Sequence, residues 1–136
     1  MSADALVAQT QQRNNAIKSN REYEGELDDH YFDLVSLGRK TIEGRLNKFG
    51  TKWGSIAYGD IITFSRKSVP HQKIKCRIVW VHIYPTFRVL LEQEGLRRIF
   101  PGVVSIEDGV RLYEKWYPLD EQIKNGVIGL ELEIVN

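Results

Sequence analysis

The chain has one cysteine, one methionine, four prolines and three histidines in 136 residues. A single cysteine, Cys76, excludes an internal disulfide and any zinc site built on two or more thiolates. The histidines His30, His71 and His82 show no metal-ligand spacing, so neither a metal nor another cofactor is expected. Long apolar runs are missing too. The longest is Ile78–Val81, which reaches Tyr84 only if His82 is admitted, against the ~20 residues a membrane span needs. The opening residues, MSADALVAQTQQRNN, lack a basic stretch followed by an apolar core, so no secretory signal is expected. These absences predict an intracellular protein, cytoplasmic or nuclear, with no membrane partner.

Hydrophobic residues make up 42% of the chain and charged residues 27%, ordinary values for one soluble domain with a core of useful size. The net charge is +1, but it is unevenly spread. Between Arg39 and Arg77 ten basic residues face two acids, Glu43 and Asp60, so that segment carries +8 and the rest −7. A basic middle suits an anionic partner. Lysines protecting exposed strand edges would produce the same imbalance.

Residues 1–25 are polar, and Leu6, Val7 and Ile17 are too few to form a helical stripe. They read as a polar arm or frayed helix, with the domain proper spanning 26–136. Tyr31, Leu34, Val35 and Leu37 fall near helical spacing and Gly38 follows as a stop. TIEGRL (41–46) reads as a strand with Ile42 and Leu46 inward and Thr41, Glu43 and Arg45 on the other face. IITFS and KIKCRIVWVHIY read as further strands. In the second, Ile74, Cys76, Ile78 and Trp80 alternate onto one face, with Trp80 and Trp116 expected at the core or its edge. Thr86 and Ser105 are placed to cap helices, and VIGLELEIV closes the chain as a strand with Ile128, Leu130, Leu132 and Ile134 inward. About five strands and three short helices, without regular βα alternation, predict an α+β fold with a small curled sheet or barrel.

The segment richest in chemistry is Gly38-Arg39-Lys40-Thr41-Ile42-Glu43-Gly44-Arg45. Glu43 and Arg45 are two apart and project from one strand face, where a guanidinium can fix a carboxylate or grip a phosphate. Lys40 stands at the strand entrance. The same residues also describe a helix cap followed by an exposed ion pair.

Gly38, Lys40, Glu43 and Arg45 match the GxKxxExR pattern of the ASCH domain, a relative of the PUA-like RNA-binding fold. From Glu26 to Val135 the chain resembles that family in order. A helix precedes the motif, and Gly59-Asp60 precedes a strand. A long strand ends at Tyr84, Leu90 to Leu96 form a Leu-Leu-Glu-Gln-Glu-Gly-Leu run, and Pro101-Gly102 follows. The resemblance implies a PUA-like β-barrel of about five or six strands flanked by short helices. It also implies a cleft beside the motif for single-stranded or modified RNA, a nucleoside or a nucleotide. Gly38, Lys40, Thr41, Glu43, Arg45, Lys52 and Arg66 would then line or approach the ligand. Trp53, Tyr58 or Tyr84 would stack a base.

Some ASCH proteins resemble enzymes, among them N4-acetylcytidine amidohydrolases that use a lysine, a threonine and a glutamate. Lys40 and Glu94 match the first and last, but the threonine position holds Glu43. The alternative reading is therefore a metal-independent hydrolase of that kind, or a ribonuclease, with Lys40, Glu43 and Glu94 catalytic. A protein-interaction domain is the third. Cys76 is expected as a buried small hydrophobe.

Overall fold

The computed structural model describes residues 2–15 and 19–135, so Ile17 lies outside the described residues. In chain order the elements are α1 (Ala3–Arg13), β1 (Glu22–Leu27), α2 (Asp29–Ser36), β2 (Ile42–Leu46), β3 (Ile61–Arg66), β4 (Lys73–Tyr84), α3 (Phe87–Glu94), α4 (Leu96–Ile99), α5 (Ile106–Trp116), α6 (Leu119–Asn125) and β5 (Val127–Ile134). A 3₁₀ turn occupies Lys52–Gly54.

The strands form one curled sheet in the order β1-β3-β4-β5-β2, parallel at β1–β3 and antiparallel elsewhere. It is an α+β, PUA-like half-barrel, with β1 and β2 as its two edges. Both faces are covered. One core gathers Leu27, Phe64, Ile78, Val81, Ile83 and Leu130 inside the curl. The other packs Phe87, Leu90, Leu91 and Tyr113 from the helices onto Ile42 and Val127. Double coverage explains why Ile42, Glu43 and Gly44 are all buried where simple alternation predicts one exposed face.

Several local expectations hold. The Thr86 hydroxyl accepts from Val89 N at 3.3 Å and the Ser105 hydroxyl from Asp108 N at 3.1 Å, each supplying a partner for an unpaired helix N–H. Gly38 ends α2 with φ at 72°, a conformation that favours glycine. Cys76 is buried, and burial pushes its thiol up to about 11, which fits an inert core side chain.

Others need correction. Trp80 is not core: it is 44% exposed, and Trp116 is 45% exposed. The cause at Trp80 is a register shift between Ile78 and Trp80, which reverses the alternation and turns Val81 and Ile83 inward instead. Ile134 and Leu37 are exposed as well, each at the end of its element.

The polar stretch before residue 26 contains two ordered elements. The helix α1 is capped by Ser2 and buries Leu6 in the inner core. The Arg13 guanidinium donates to the Ile56 carbonyl (2.7 Å), Asn47 Oδ1 (2.9 Å) and the Trp53 carbonyl (2.6 Å). Asn14 pairs its side-chain amide with Val81, accepting from its N–H at 2.8 Å and donating to its carbonyl at 2.6 Å. This happens beside the bulge, where the strand has lost regular pairing.

Candidate functional site

A pocket of about 210 Å³ opens where the two sheet edges approach. Glu26, Leu27 and Asp28 form one side, and Lys40, Glu43, Gly44 and Arg45 another. Tyr31, Phe100, Tyr113, Trp116 and Tyr117 make the aromatic remainder. Edges β1 and β2 share no backbone pairing; side chains bridge them. Arg45 donates to the Glu26 carbonyl at 2.8 Å, and the Lys52 ammonium donates to the Glu24 carbonyl.

The motif is built from its glycine onward. After the Gly38 turn, the Arg39 and Lys40 N–H groups both reach the Leu34 carbonyl, at 2.9 and 3.0 Å, so the chain folds back beneath α2. That turns the Lys40 side chain inward, where the residue is 2% exposed. Its Nζ donates to the carbonyls of Ile42 (2.8 Å) and Ile99 (2.7 Å) and lies 3.3 Å from Glu43 Oε1. An ammonium has three N–H donors, and these partners occupy them all. The Tyr31 and Phe100 rings flank it at 5.6 and 5.4 Å.

Glu43 is held from two sides, because its Oε2 accepts from Arg45 Nε at 2.7 Å. Burial alone would push its carboxyl up, but Arg45 and Lys40 together outweigh that and hold it below the ordinary carboxylate value. Lys40 has one anion against complete burial, so burial prevails and lowers it. Burial would likewise lower Arg45, and Glu43 reverses the direction. The guanidinium of Arg45 stacks over Trp53 at 4.5 Å.

Tyr113 has a different status. Its phenol is clamped between rings, stacked on Phe87 at 3.8 Å and tilted against Phe100 at 4.8 Å. Its hydroxyl occupies the space that the missing side chain of Gly44 leaves; a Cβ there would lie 2.2 Å from the oxygen. Burial first, and the Glu43 charge second, raise its pKa well above the ordinary value, so it is a neutral phenol.

The residues expected at the site divide into groups. Lys40, Glu43 and Arg45 line the pocket. Gly38 and Thr41 are not among the lining residues; the Thr41 N–H is fixed to the Arg98 carbonyl at 2.9 Å. Trp53 and Lys52 stand behind Arg45. Arg66 is paired with Asp33 and Asp29. Tyr58 packs edge-on against Trp80, 6.5 Å away. Neither Arg66, Tyr58 nor Tyr84 is among the lining residues. The stacking surfaces that do line it (Tyr31, Trp116 and Tyr117) come from α2 and the end of α5. Sequence spacing placed Tyr31 in the helix before Gly38 and Trp116 at the core or its edge, and neither spacing carried a sign that they meet.

Glu94 and Tyr84 belong to a second polar cluster. Tyr84 donates to Glu94, and His82 lies 3.2 Å from Glu94 and 2.7 Å from Glu131. Arg98 pairs with Glu131 at 2.7 Å and with Glu94 at 3.4 Å. His82, Glu94 and Glu131 offer ligand atoms within 4.8 Å of one another, the donor types a divalent cation takes. The Arg98 guanidinium already fills the role of counter-charge to both carboxylates. Linear spacing gives no hint of this group, because β4, β5 and α3 bring it together.

Comparison with known proteins agrees with this architecture. No curated protein matches the chain. The hypothetical protein PH0355, known from a crystal structure, is 36% identical with a TM-score of 0.75, covering 84% of this chain and 99% of its own. Protein PF0455 from Pyrococcus furiosus, known from a solution NMR structure, is 36% identical with a TM-score of 0.67, covering 85% and 98%. The family model for the ASCH domain matches residues 26–135, which takes in the motif, the aromatic wall and every strand except the start of β1, and the chain therefore belongs to the ASCH domain family.

Proposed function

We propose that the pocket holds one unpaired base, presented by single-stranded or modified RNA or as a nucleoside or nucleotide. The observation that carries this reading is a hydrogen-bonded Glu43–Arg45 pair in a pocket that Tyr31, Phe100, Tyr113, Trp116 and Tyr117 also line. Rings supply a sequence-tolerant stacking surface, and a paired carboxylate and guanidinium supply an acceptor and donors for a polar edge. A cavity of about 210 Å³ is below the ~300 Å³ at which drug-sized sites begin, so it suits one ring system rather than a stack. Outside it, exposed Lys48 and Lys52 flank Phe49, which is 96% exposed at the tip of the loop after β2. Such a loop suits contact with a phosphate backbone and a neighbouring base.

The roles within the motif differ from those that resemblance implies. Lys40 has no donor left for a ligand; it positions Glu43 and ties β2 to α4. Arg45 donates from Nε and Nη2, and its Nη1 has no partner among the described residues. Arg45 is thus the cation that can reach a ligand oxygen.

The hydrolytic alternative requires Lys40, Glu43 and Glu94 to act on one group. Lys40 and Glu43 bond each other, while Glu94 bonds His82, Tyr84 and Arg98. That division favours binding over hydrolysis.

The test is a fluorescence titration of short single-stranded RNA with the wild type and with Trp116→Ala, at low and moderate salt, followed by a denaturing gel. Removing a half-exposed stacking ring should weaken binding by about 1–3 kcal/mol. It should leave the melting temperature within a few degrees of wild type and the RNA intact. Cleaved RNA would favour the nuclease, and equal affinity of the two proteins would refute the pocket as the binding site.

A further inference from the structure

The Tyr113 hydroxyl is, among the buried side-chain nitrogen and oxygen atoms of the described residues, the one without a hydrogen-bond partner. Native interiors seldom leave a hydroxyl in that state, because it has given up water and gained nothing in return. A phenylalanine would fill the same volume without the penalty. The oxygen is not loosely placed either. Phe87 and Phe100 hold the ring, and the absence of a side chain on Gly44 admits the hydroxyl against β2, between the two residues that carry the charged pair. Tyr113, Gly44, Glu43 and Arg45 all line the same pocket.

From this geometry we infer that the pocket reads the Watson–Crick edge of its base, with the Tyr113 hydroxyl donating to an acceptor on that edge, ring nitrogen or carbonyl oxygen, and Glu43 taking an adjacent N–H. The inference rests on the nucleobase reading above and adds the orientation of the ligand and the residue that sets it. A neutral phenol can donate, and the ionised Glu43 only accepts. Together they complement an edge on which an acceptor and a donor stand side by side. Every nucleobase carries such a pair on the edge it uses for base pairing. The aromatic rings then contact the ring faces, and the sugar points away from the Glu43–Arg45 pair, out of the pocket. Two consequences follow. A base engaged in a duplex has that edge occupied and does not bind. A methyl group on the pairing nitrogen abolishes recognition, while modification on the opposite edge is tolerated.

The experiment compares each nucleoside with its edge-methylated twin: uridine with 3-methyluridine, cytidine with 3-methylcytidine, adenosine with 1-methyladenosine and guanosine with 1-methylguanosine. Each is titrated into the isotope-labelled full chain by NMR, against wild type and Tyr113→Phe. Those parents that bind wild type should bind at least tenfold more tightly than their twins. Tyr113→Phe should weaken the parents about tenfold with an unchanged or higher melting temperature. Twins that bind as well as parents would overturn the edge assignment while leaving the base pocket standing. Unchanged affinity in Tyr113→Phe would overturn the role of the hydroxyl. Absence of binding by all four parents and by the RNA of the preceding test would instead refute the nucleobase reading itself. Should Tyr113→Phe not fold, the parent–twin comparison on wild type still decides the orientation.

Discussion

Replacing Lys40 by methionine separates a positioning lysine from a ligand-binding one. Methionine keeps most of the apolar stem and removes the ammonium. The Ile42 and Ile99 carbonyls then lose donors at 2.8 and 2.7 Å, in residues that are themselves fully buried. Each buried carbonyl left unmatched costs about 1–3 kcal/mol. Truncating one partner of a buried ion pair costs about 3–5 kcal/mol. Here that figure is an upper bound, since Glu43 retains Arg45 at 2.7 Å. Relief of the burial that lowers Lys40 offsets part of the loss. The net expectation is a destabilisation of about 3–5 kcal/mol, a large share of the ~5–15 kcal/mol available to a domain. For a chain of this size that corresponds to a melting temperature lower by roughly 10–20 °C. Urea unfolding with an unchanged slope gives the free energy directly. Affinity for RNA, measured well below the transition and corrected for the folded fraction, should fall far less than it does for Trp116→Ala. A variant of near wild-type stability that no longer binds would refute the reasoning and make Lys40 a ligand contact.

Three further outcomes are expected. Tyr113→Phe removes an unmatched hydroxyl and should raise the unfolding free energy by about 1 kcal/mol, read from the urea midpoint. Gly44→Ala drives a methyl to 2.2 Å from that oxygen and should destabilise by about 1–3 kcal/mol. Adding Tyr113→Phe to it should recover part of the loss, and strictly additive effects in the double-mutant cycle would show that the two residues do not touch. Stability should also fall in acid. The Glu43 carboxyl sits below its ordinary value of 4.5 in the folded state, so between the two values the unfolded chain binds more protons. Its contribution is therefore complete above 4.5 and is lost as pH falls through the folded value. Urea midpoints from pH 7 to 3 should drop less steeply in Glu43→Gln than in wild type.

Much of the architecture was legible because local chemistry and global packing agree. Thr86 and Ser105 cap helices wherever the chain is placed, and β3, β4 and β5 are apolar enough to declare themselves. The strand β1 was not legible, because EYEGEL interleaves Glu22, Glu24 and Glu26 with Tyr23, Gly25 and Leu27. Gly25 hides the signal on the packed face. It leaves room for the Phe64 ring, which would lie 3.1 Å from a Cβ at that position. Trp80 misled because one bulge reverses which residues face inward, and a bulge has no mark in a run of apolar residues. At the site, Lys40, Glu43 and Arg45 could be read from their spacing, but Lys40's role could not. Its carbonyl partner at Ile99 lies 59 positions away in sequence. Tyr31, Trp116 and Tyr117 converge only once α2 and α5 meet over the sheet edge.

The gap between β1 and β2 has a bearing on solubility. An unpaired sheet edge is a template for another chain's strand, and a half-barrel exposes two of them. Here the Glu24 and Glu26 carbonyls on one edge are taken by the Lys52 ammonium and the Arg45 guanidinium from across the gap. An incoming strand would have to displace two cations and find donors in their place. The side chains that frame the pocket thus also protect the chain from edge-to-edge self-association, and a ligand that draws Arg45 inward would uncover the edge it guards.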